Sequence, residues 1–506
     1  NDFVTFSGAT TLGDAITAAI LNQEYQVTAL VSTSVFQVEA RTVSTISSIT
    51  GTDGLNPTYV FATTSDSGNG GASVIGVFQI NTGLDTTIIG TGWGAGTWSR
   101  DAWGSGASVT TAGQQLRIWS HDNFGEDLLF NVRDGGIYYW DKSSGTTARG
   151  VALSSLAGAD TTPTIAKQVL VSDRDRHIIA FGCDSQTDPG IQDPLLIRFS
   201  TQESLTDWAA TATNTAGDLR IGSGSEIITA VETRQQVLVF TDKSLYAMQY
   251  LGPPFTFGIS AISENITIQS PLAAIAVEDN VFWMGQKEFY VYGGAVQRIP
   301  CTVRDYVFSD FNADQGEKVT AATNTAFSEV WWFYPSANSA ENDRYVVYNY
   351  QQQIWYYGLM SRTCWVDRGI NEYPIAASPD HVLYLQELGF NDGSTVPETP
   401  LVTSITSSPI DIQDGEQFAF ITRLFPDLRI RPESGAGAAA DFTIRVRNST
   451  SEAFAKEVIV PYTGDDQQVQ VRLRGRQFSV KIDSNSLDTA WRLGSPRLEI
   501  QPDGRR

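Results

Sequence analysis

The chain has 506 residues and a formal net charge of −22, with 34 Lys and Arg against 56 Asp and Glu. That balance excludes a protein that grips nucleic acid over its whole surface, but not one through which a duplex passes without sticking. Apolar residues make up 41% and charged residues 18%, enough for packed cores, and the wealth of aromatic, Gly, Ser and Thr residues favours strands joined by tight turns over helices.

Residues 1–75 alternate as short strands, with Phe3–Phe6, Tyr25–Thr28 and Ser34–Val38 as the clearest. They end in the polar, glycine-rich loop Ser65–Gly71, whose composition favours a turn or linker. A small β-rich inserted or tip module is expected there. The following stretch, Thr91–Gly104, spaces Trp93, Trp98 and Trp103 five apart among glycines. Tryptophan is enriched where subunits meet, so packing or a subunit contact is expected there rather than sugar binding.

A degenerate repeat fills residues 76–394. Its units are Leu128–Trp140, His177–Phe181 with Leu195–Phe199, Val237–Tyr250, and Val281–Tyr292. Val330–Tyr334 with Tyr345–Tyr348 and Ile354–Tyr357 makes the fifth, and the weaker Val382–Leu385 the sixth. A strongly apolar strand returning about every 50 residues, with further strands between, is the pattern of propeller blades. One four-stranded sheet cannot bury both faces alone, whereas stacked sheets bury each other. The expected fold is all-β: a six-bladed β-propeller with a small N-terminal β module and a C-terminal antiparallel β-sandwich. A generic meander or sandwich array is the competing reading.

The sandwich is expected over residues 395–506, after a linker marked by Pro397, Pro400 and Pro409. Phe442–Arg447, Val469–Arg474 and Phe478–Ile482 alternate apolar and polar residues. Val469, Val471 and Leu473 are thus expected to face a core, with Gln470, Arg472 and Arg474 outward. Residues 472–506 hold eight basic residues against four acidic ones, a local +4 that leaves −26 for the rest. Such polarity suits head-to-tail or ring assembly, and equally a solvated sheet face.

Reactive chemistry is sparse. The three histidines, His121, His177 and His381, fall in different units and are expected to be structural. No nucleophile elbow, phosphate-cradling loop or Cys/His zinc cluster is present. The acids Asp173, Asp175, Asp184, Asp188 and Asp193 gather around the second unit. A glycosidase would need such carboxylates in pairs, but turns such as Ser172–Arg176 and Thr187–Gly190 use Asp to cap backbone N–H groups. Cys183, Cys301 and Cys364 show neither metal-ligand nor disulfide spacing, so buried free thiols in a fold formed in a reducing cytoplasm are expected. No apolar run of about 18 residues is present, and no membrane span is expected. The chain is expected not to be an enzyme, with no catalytic, cofactor-binding or metal-ligating residues.

Several segments resemble a family of tailed-phage proteins described as tail nozzle, tail tubular or head-stabilisation hub subunits. They are Gly92–Trp98, Asp122–Phe130, Asp218–Glu226, Gly252–Gly258 and Arg492–Arg497. The resemblance implies a virion structural protein of a podovirus-type tail, assembled in the host cytoplasm as a homo-oligomer, a hexameric ring. It further implies a tail adaptor above, tail fibres or spikes on the flanks, and genomic DNA passing through the lumen without specific binding. Intact members carry more chain upstream, so a first propeller strand is expected before Asn1. The acidic balance suits a channel wall that repels a duplex. A receptor-binding or glycan-cleaving propeller on the virion surface is the alternative.

Overall fold

A computed structural model describes residues 3–32, 35–42, 60–79, 116–146, 148–252, 255–393, 395–411, 417–432, 440–462 and 468–504. Trp93, Trp98 and Trp103, and with them the first of the resembling segments, lie outside the described residues. The described chain is all-β and built from antiparallel sheets, with two short helices. It packs as two compact units: residues 1–321, 334–346 and 355–358, and residues 322–333, 347–354 and 359–506.

In the first unit, β1 (Phe3–Ser7), β2 (Glu24–Ser32), β3 (Val35–Val38) and β4 (Ile75–Gln79) form a sheet in the order β3-β2-β1-β4, with α1 (Ala18–Leu21) between β1 and β2. Four-stranded sheets then follow in plain succession. The first holds β5 (Trp119–Phe124), β6 (Asp127–Val132), β7 (Ile137–Trp140) and β8 (Val151–Ala152). Next are β9 (Gln168–Val171), β10 (Ile178–Phe181), β11 (Leu196–Phe199) and β12 (Gly217–Arg220). The third holds β13 (Ile227–Glu232), β14 (Val237–Thr241), β15 (Ser244–Gly252) and β16 (Thr256–Glu264). The fourth holds β17 (Ala274–Val277), β18 (Asn280–Met284), β19 (Phe289–Tyr292) and β20 (Val296–Ile299), and α2 (Arg304–Ser309) follows it.

The strand that begins at Ile178 reads as a continuous apolar run because both faces of its sheet are covered. Val169, Val171, Ile178 and Ala180 pack with Leu129 and Ile137 of the preceding sheet. Their alternate neighbours Leu170, Ile179 and Phe181 pack with Val237, Val239 and Met248 of the following one. The period of two along each strand therefore serves two cores at once. Buried Asn131 ties the β6–β7 turn to the segment before β9, its Nδ2 donating to the carbonyls of Gly135 at 3.2 Å, Gly136 at 3.1 Å and Ala166 at 3.2 Å.

The next sheet comprises β21 (Thr320–Asn324), β22 (Glu329–Tyr334), β23 (Arg344–Asn349) and β24 (Ile354–Leu359). The second unit continues with the three-stranded sheet β25 (Cys364–Val366), β26 (Ile375–Ala377) and β27 (Leu383–Leu385), then the hairpin β28 (Asn391–Asp392) and β29 (Thr399–Pro400). Its C-terminal strands are β30 (Thr403–Thr406), β31 (Ile410–Asp411), β32 (Ala419–Phe425), β33 (Leu428–Pro432), β34 (Ala440–Arg447), β35 (Lys456–Tyr462), β36 (Val469–Gly475), β37 (Gln477–Ser484), β38 (Thr489–Leu493) and β39 (Arg497–Pro502). They pair as β30-β37-β34-β35 with β31 also on β37, as β36-β32-β39, and as β33-β38. Phe442, Ile444 and Ile482 of the first group meet Ile421, Leu424, Val471 and Leu473 of the second in one core. Val471 and Leu473 are buried while Gln470 and Arg472 are exposed, as their alternation predicts.

All three cysteines are free, but only Cys183 is buried. Cys364 is exposed because it lies on β25, an edge strand of the three-stranded sheet, which corrects the expectation of buried thiols. No helix among the described residues is long and apolar enough to cross a membrane.

Candidate functional site

The first strands of three successive sheets, β5, β9 and β13, are joined by side chains rather than by a backbone ladder. Ser120 Oγ accepts from the Val169 N–H at 3.0 Å and Asp122 Oδ2 from the Val171 N–H at 2.8 Å. Gln168 exchanges two hydrogen bonds with the Ala230 backbone, and Glu232 Oε1 accepts from the Asp173 N–H at 3.0 Å. The partners advance together, 120 with 169 and 122 with 171, so these strands run in the same direction. Sheet-edge N–H groups that would be costly to leave unpaired thereby find acceptors.

Charged residues cluster at both ends of these strands. At the starting end, Arg133, Asp134, Lys167, Glu226 and Glu317 border a cavity of about 120 Å³ with Ile118 and Ile228. The Lys167 side chain, 7% exposed, bridges Asp134 Oδ1 at 3.1 Å and Glu226 Oε2 at 2.8 Å. Gly182 makes room for it: with φ +57, a Cβ there would lie 2.9 Å from Lys167 Cδ. Arg133 Nη1 donates to the Ile228 carbonyl at 2.8 Å, and burial lowers the proton affinity of its guanidinium. The buried Asp134 Oδ2 has no hydrogen-bond partner. This end is cross-braced, and its polar groups suit a small polar guest or water.

At the far end, Asp122, Asp173, Asp175 and Glu232 gather. Burial, reinforced by the charges of Asp173, Asp122 and Asp175, pushes the Glu232 carboxyl up to about 7, against the pull of the Asp173 N–H. Asp122 is raised by burial and by Asp173. Among the described residues no group of His, Cys, Asp or Glu is arranged to hold a metal ion.

The other acids singled out in the sequence do not join this cluster. Asp184 accepts from Thr164 N–H at 2.9 Å and Gly190 N–H at 2.8 Å, organising its loop. Asp188 sits in the Ser185–Asp188 turn, and Asp193 pairs with Arg220 at 2.6 Å. The histidines remain apart. His121 is exposed on β5 and His381 lies in a turn, its N–H on the Ser378 carbonyl. His177 is fully buried, its ring edge-on to Phe199 and Phe257 and its Nε2 3.1 Å from Thr215 Oγ1. Burial lowers its proton affinity. Sequence reasoning missed Asp122, Arg133, Lys167 and Glu232. The available signal was a charged residue flanking the apolar strand in successive repeats.

In the N-terminal sheet, Phe6, Leu12, Ile16, Tyr25 and Val38 line an apolar cavity of about 330 Å³. It offers shape but no reactive group.

No protein-family profile and no curated protein matches the chain. Among solved structures, it is similar to PorZ, an essential bacterial surface component of the type-IX secretion system of Porphyromonas gingivalis, with 10% identity and a TM-score of 0.25. The match covers 78% of this chain and 45% of that protein, so the chain spans less than half of PorZ.

Proposed function

We propose that the chain is a virion structural protein, a subunit of the oligomeric tail nozzle or hub ring of a short-tailed phage. In this reading the ring seals and conducts genomic DNA during ejection, and it anchors tail fibres or spikes below a tail adaptor. The observation that carries it is a run of exposed apolar side chains in the second unit. Leu359 is 74% exposed, Leu383 72%, Val396 100% and Val402 76%, with Val366, Leu385, Leu388 and Ile405 among them. Leu383 and Leu385 share one exposed face of β27, and adjoining exposed apolar side chains suit a surface covered by a partner. Two of the resembling segments also hold defined positions: Asp122–Phe130 spans β5 and β6, and Asp218–Glu226 runs from β12 to the start of β13.

In the finer reading, the sheets from β5–β8 to β25–β27 are the six blades of a propeller, and the C-terminal strands are a sandwich. The succession of meanders and the parallel course of β5, β9 and β13 support it. Native mass spectrometry with electron microscopy tests the assignment. A hexameric ring around an axial channel is expected; a stable monomer or trimer without a channel would overturn it.

One observation favours a second reading, glycan cleavage. Glu232 lies among carboxylates with its acidity weakened to about 7, the condition of a general acid that keeps its proton near neutrality. Turnover in a glycan-array screen, abolished by Glu232→Gln, would support that reading; no turnover by the native chain removes it.

A further inference from the structure

Within the β33–β38 ladder, Arg429 stands directly opposite Arg492, and Arg431 stands opposite Ala490. The alternate residues Leu428, Ile430, Trp491 and Leu493 pack on the C-terminal core, so the arginines occupy the outward face, where all three are exposed. Directly opposed side chains lie about 5 Å apart at Cβ, and like charges there are destabilising. The acid beside them is already engaged: the Asp427 carboxylate accepts from the Ser495 N–H at 2.8 Å and its carbonyl from the Gly494 N–H at 2.7 Å. Asp427, Arg429 and Arg492 border an open cleft of about 270 Å³.

Other arginines of these sheets have partners. Arg423 pairs with Glu499, Arg445 with Glu457 and Arg474 with Asp503, while Arg497 lies over the Phe425 ring. Among the described residues no salt bridge reaches Arg429, Arg431 or Arg492. The same sequence carries the opposite imbalance in the first unit. Glu232 Oε1 accepts from the Asp173 N–H at 3.0 Å and Asp122 Oδ2 from the Val171 N–H at 2.8 Å, which sets both acids beside the turn that carries Asp173 and Asp175, and among the described residues none of the four makes a salt bridge. Arg176 of the same turn is paired with Glu203 at 3.5 Å, and Arg174 beside it forms no salt bridge with the four carboxylates.

We infer that the Arg429–Arg431–Arg492 face of one copy docks on the cluster of Asp122, Asp173, Asp175 and Glu232 of the next copy, with Asp173 and Asp175 at its rim. The inference rests on the ring reading above and names a contact within it. Two different surfaces of one chain that complement each other make a heterologous contact, the kind that closes rings. Of the three arginines, Arg492 lies in the segment 472–506, which carries +4 against −26 for the rest of the sequence. Exposed charge pairs are screened by salt, so ring assembly should weaken as ionic strength rises.

Charge exchange tests the contact by native mass spectrometry of the full chain. Arg429→Glu/Arg492→Glu and Asp173→Lys/Asp175→Lys should each lose the ring when alone. An equimolar mixture should recover it, because alternating copies restore opposite charges at every contact. Circular dichroism and thermal melting separate loss of assembly from loss of fold. If the reversals misfold, Arg429→Gln/Arg492→Gln should still dissociate at lower salt than the native ring. Intact rings from either reversed variant alone, or no recovery on mixing folded variants, would overturn the inference and leave the ring reading standing. A native chain that is monomeric would overturn the ring reading itself. Duplex DNA binding that is lost in Arg429→Gln/Arg492→Gln while the ring persists would overturn the inference in favour of a DNA contact.

Discussion

The Gln168 side chain is matched to the backbone of Ala230, 62 residues away: its Nε2 donates to the Ala230 carbonyl at 2.8 Å and its Oε1 accepts from the Ala230 N–H at 2.8 Å. The same Oε1 accepts from Thr229 Oγ1 at 3.1 Å. One amide thus does for two sheet edges what a ladder does within a sheet.

Replacing Gln168 by Ala leaves the Ala230 N–H and carbonyl without these partners. A partly buried backbone group stripped of its bond costs about 1–3 kcal/mol. Scanning calorimetry should show a melting temperature several degrees lower for Gln168→Ala, and an unchanged one would remove the latch from the account of stability.

His177 makes stability depend on pH in a defined direction. Burial lowers its proton affinity in the folded state below the ordinary value of 6.5, whereas the unfolded chain protonates normally. Its contribution is therefore complete above about 6.5 and is lost as pH falls below it. Urea unfolding at pH 5 and pH 8 should show this loss, and His177→Phe, which keeps a ring against Phe199 and Phe257, should flatten it.

Glu232 acts with the opposite sign. Its folded-state value, about 7, lies above the ordinary 4.5, so the folded protein holds the proton that the unfolded chain has released. Stability falls as pH rises from about 4.5 to about 7 and stays lower above that window. The stability of Glu232→Gln relative to the native chain should therefore grow across that interval. A constant difference would mean that the carboxyl is not crowded as described.

Phe442 is fully buried in the C-terminal core and meets the Tyr462 ring edge-on at 5.9 Å. Phe442→Ala should cost about 3–5 kcal/mol and speed hydrogen exchange first in β34 and β37. Uniform acceleration through β9–β15 as well would show that the two units unfold together.

Much of the strand content was legible because burial on both faces writes itself as unbroken apolar runs. Ile178–Phe181 and Val237–Thr241 were visible in this way, and the alternation in Val469–Arg474 gave the inward face of β36. The charged ends of β5, β9 and β13 were not legible, since Lys167 meets Glu226 at one end, and Asp122 nears Glu232 at the other, only after separate sheets have been placed side by side. The opposed pair Arg429 and Arg492 was hidden for the same reason: ladder register is a property of pairing, not of either strand read alone. Cys364 misled because a short apolar strand reads the same whether it is covered or left at an edge.

The double-sided burial of β9 and β10 also limits how such a chain can change length. Losing half a sheet would present Ile179 and Phe181 on one side, or Ile178 and Ala180 on the other, to water, so shortening or growth must proceed by whole meanders. Variation smaller than that has room in the connecting turns, where residues such as Gly222 and Gly393 have no neighbouring atom within 4 Å of an added Cβ. Relatives of this chain should therefore differ freely in those turns and change their number of sheets only in complete steps.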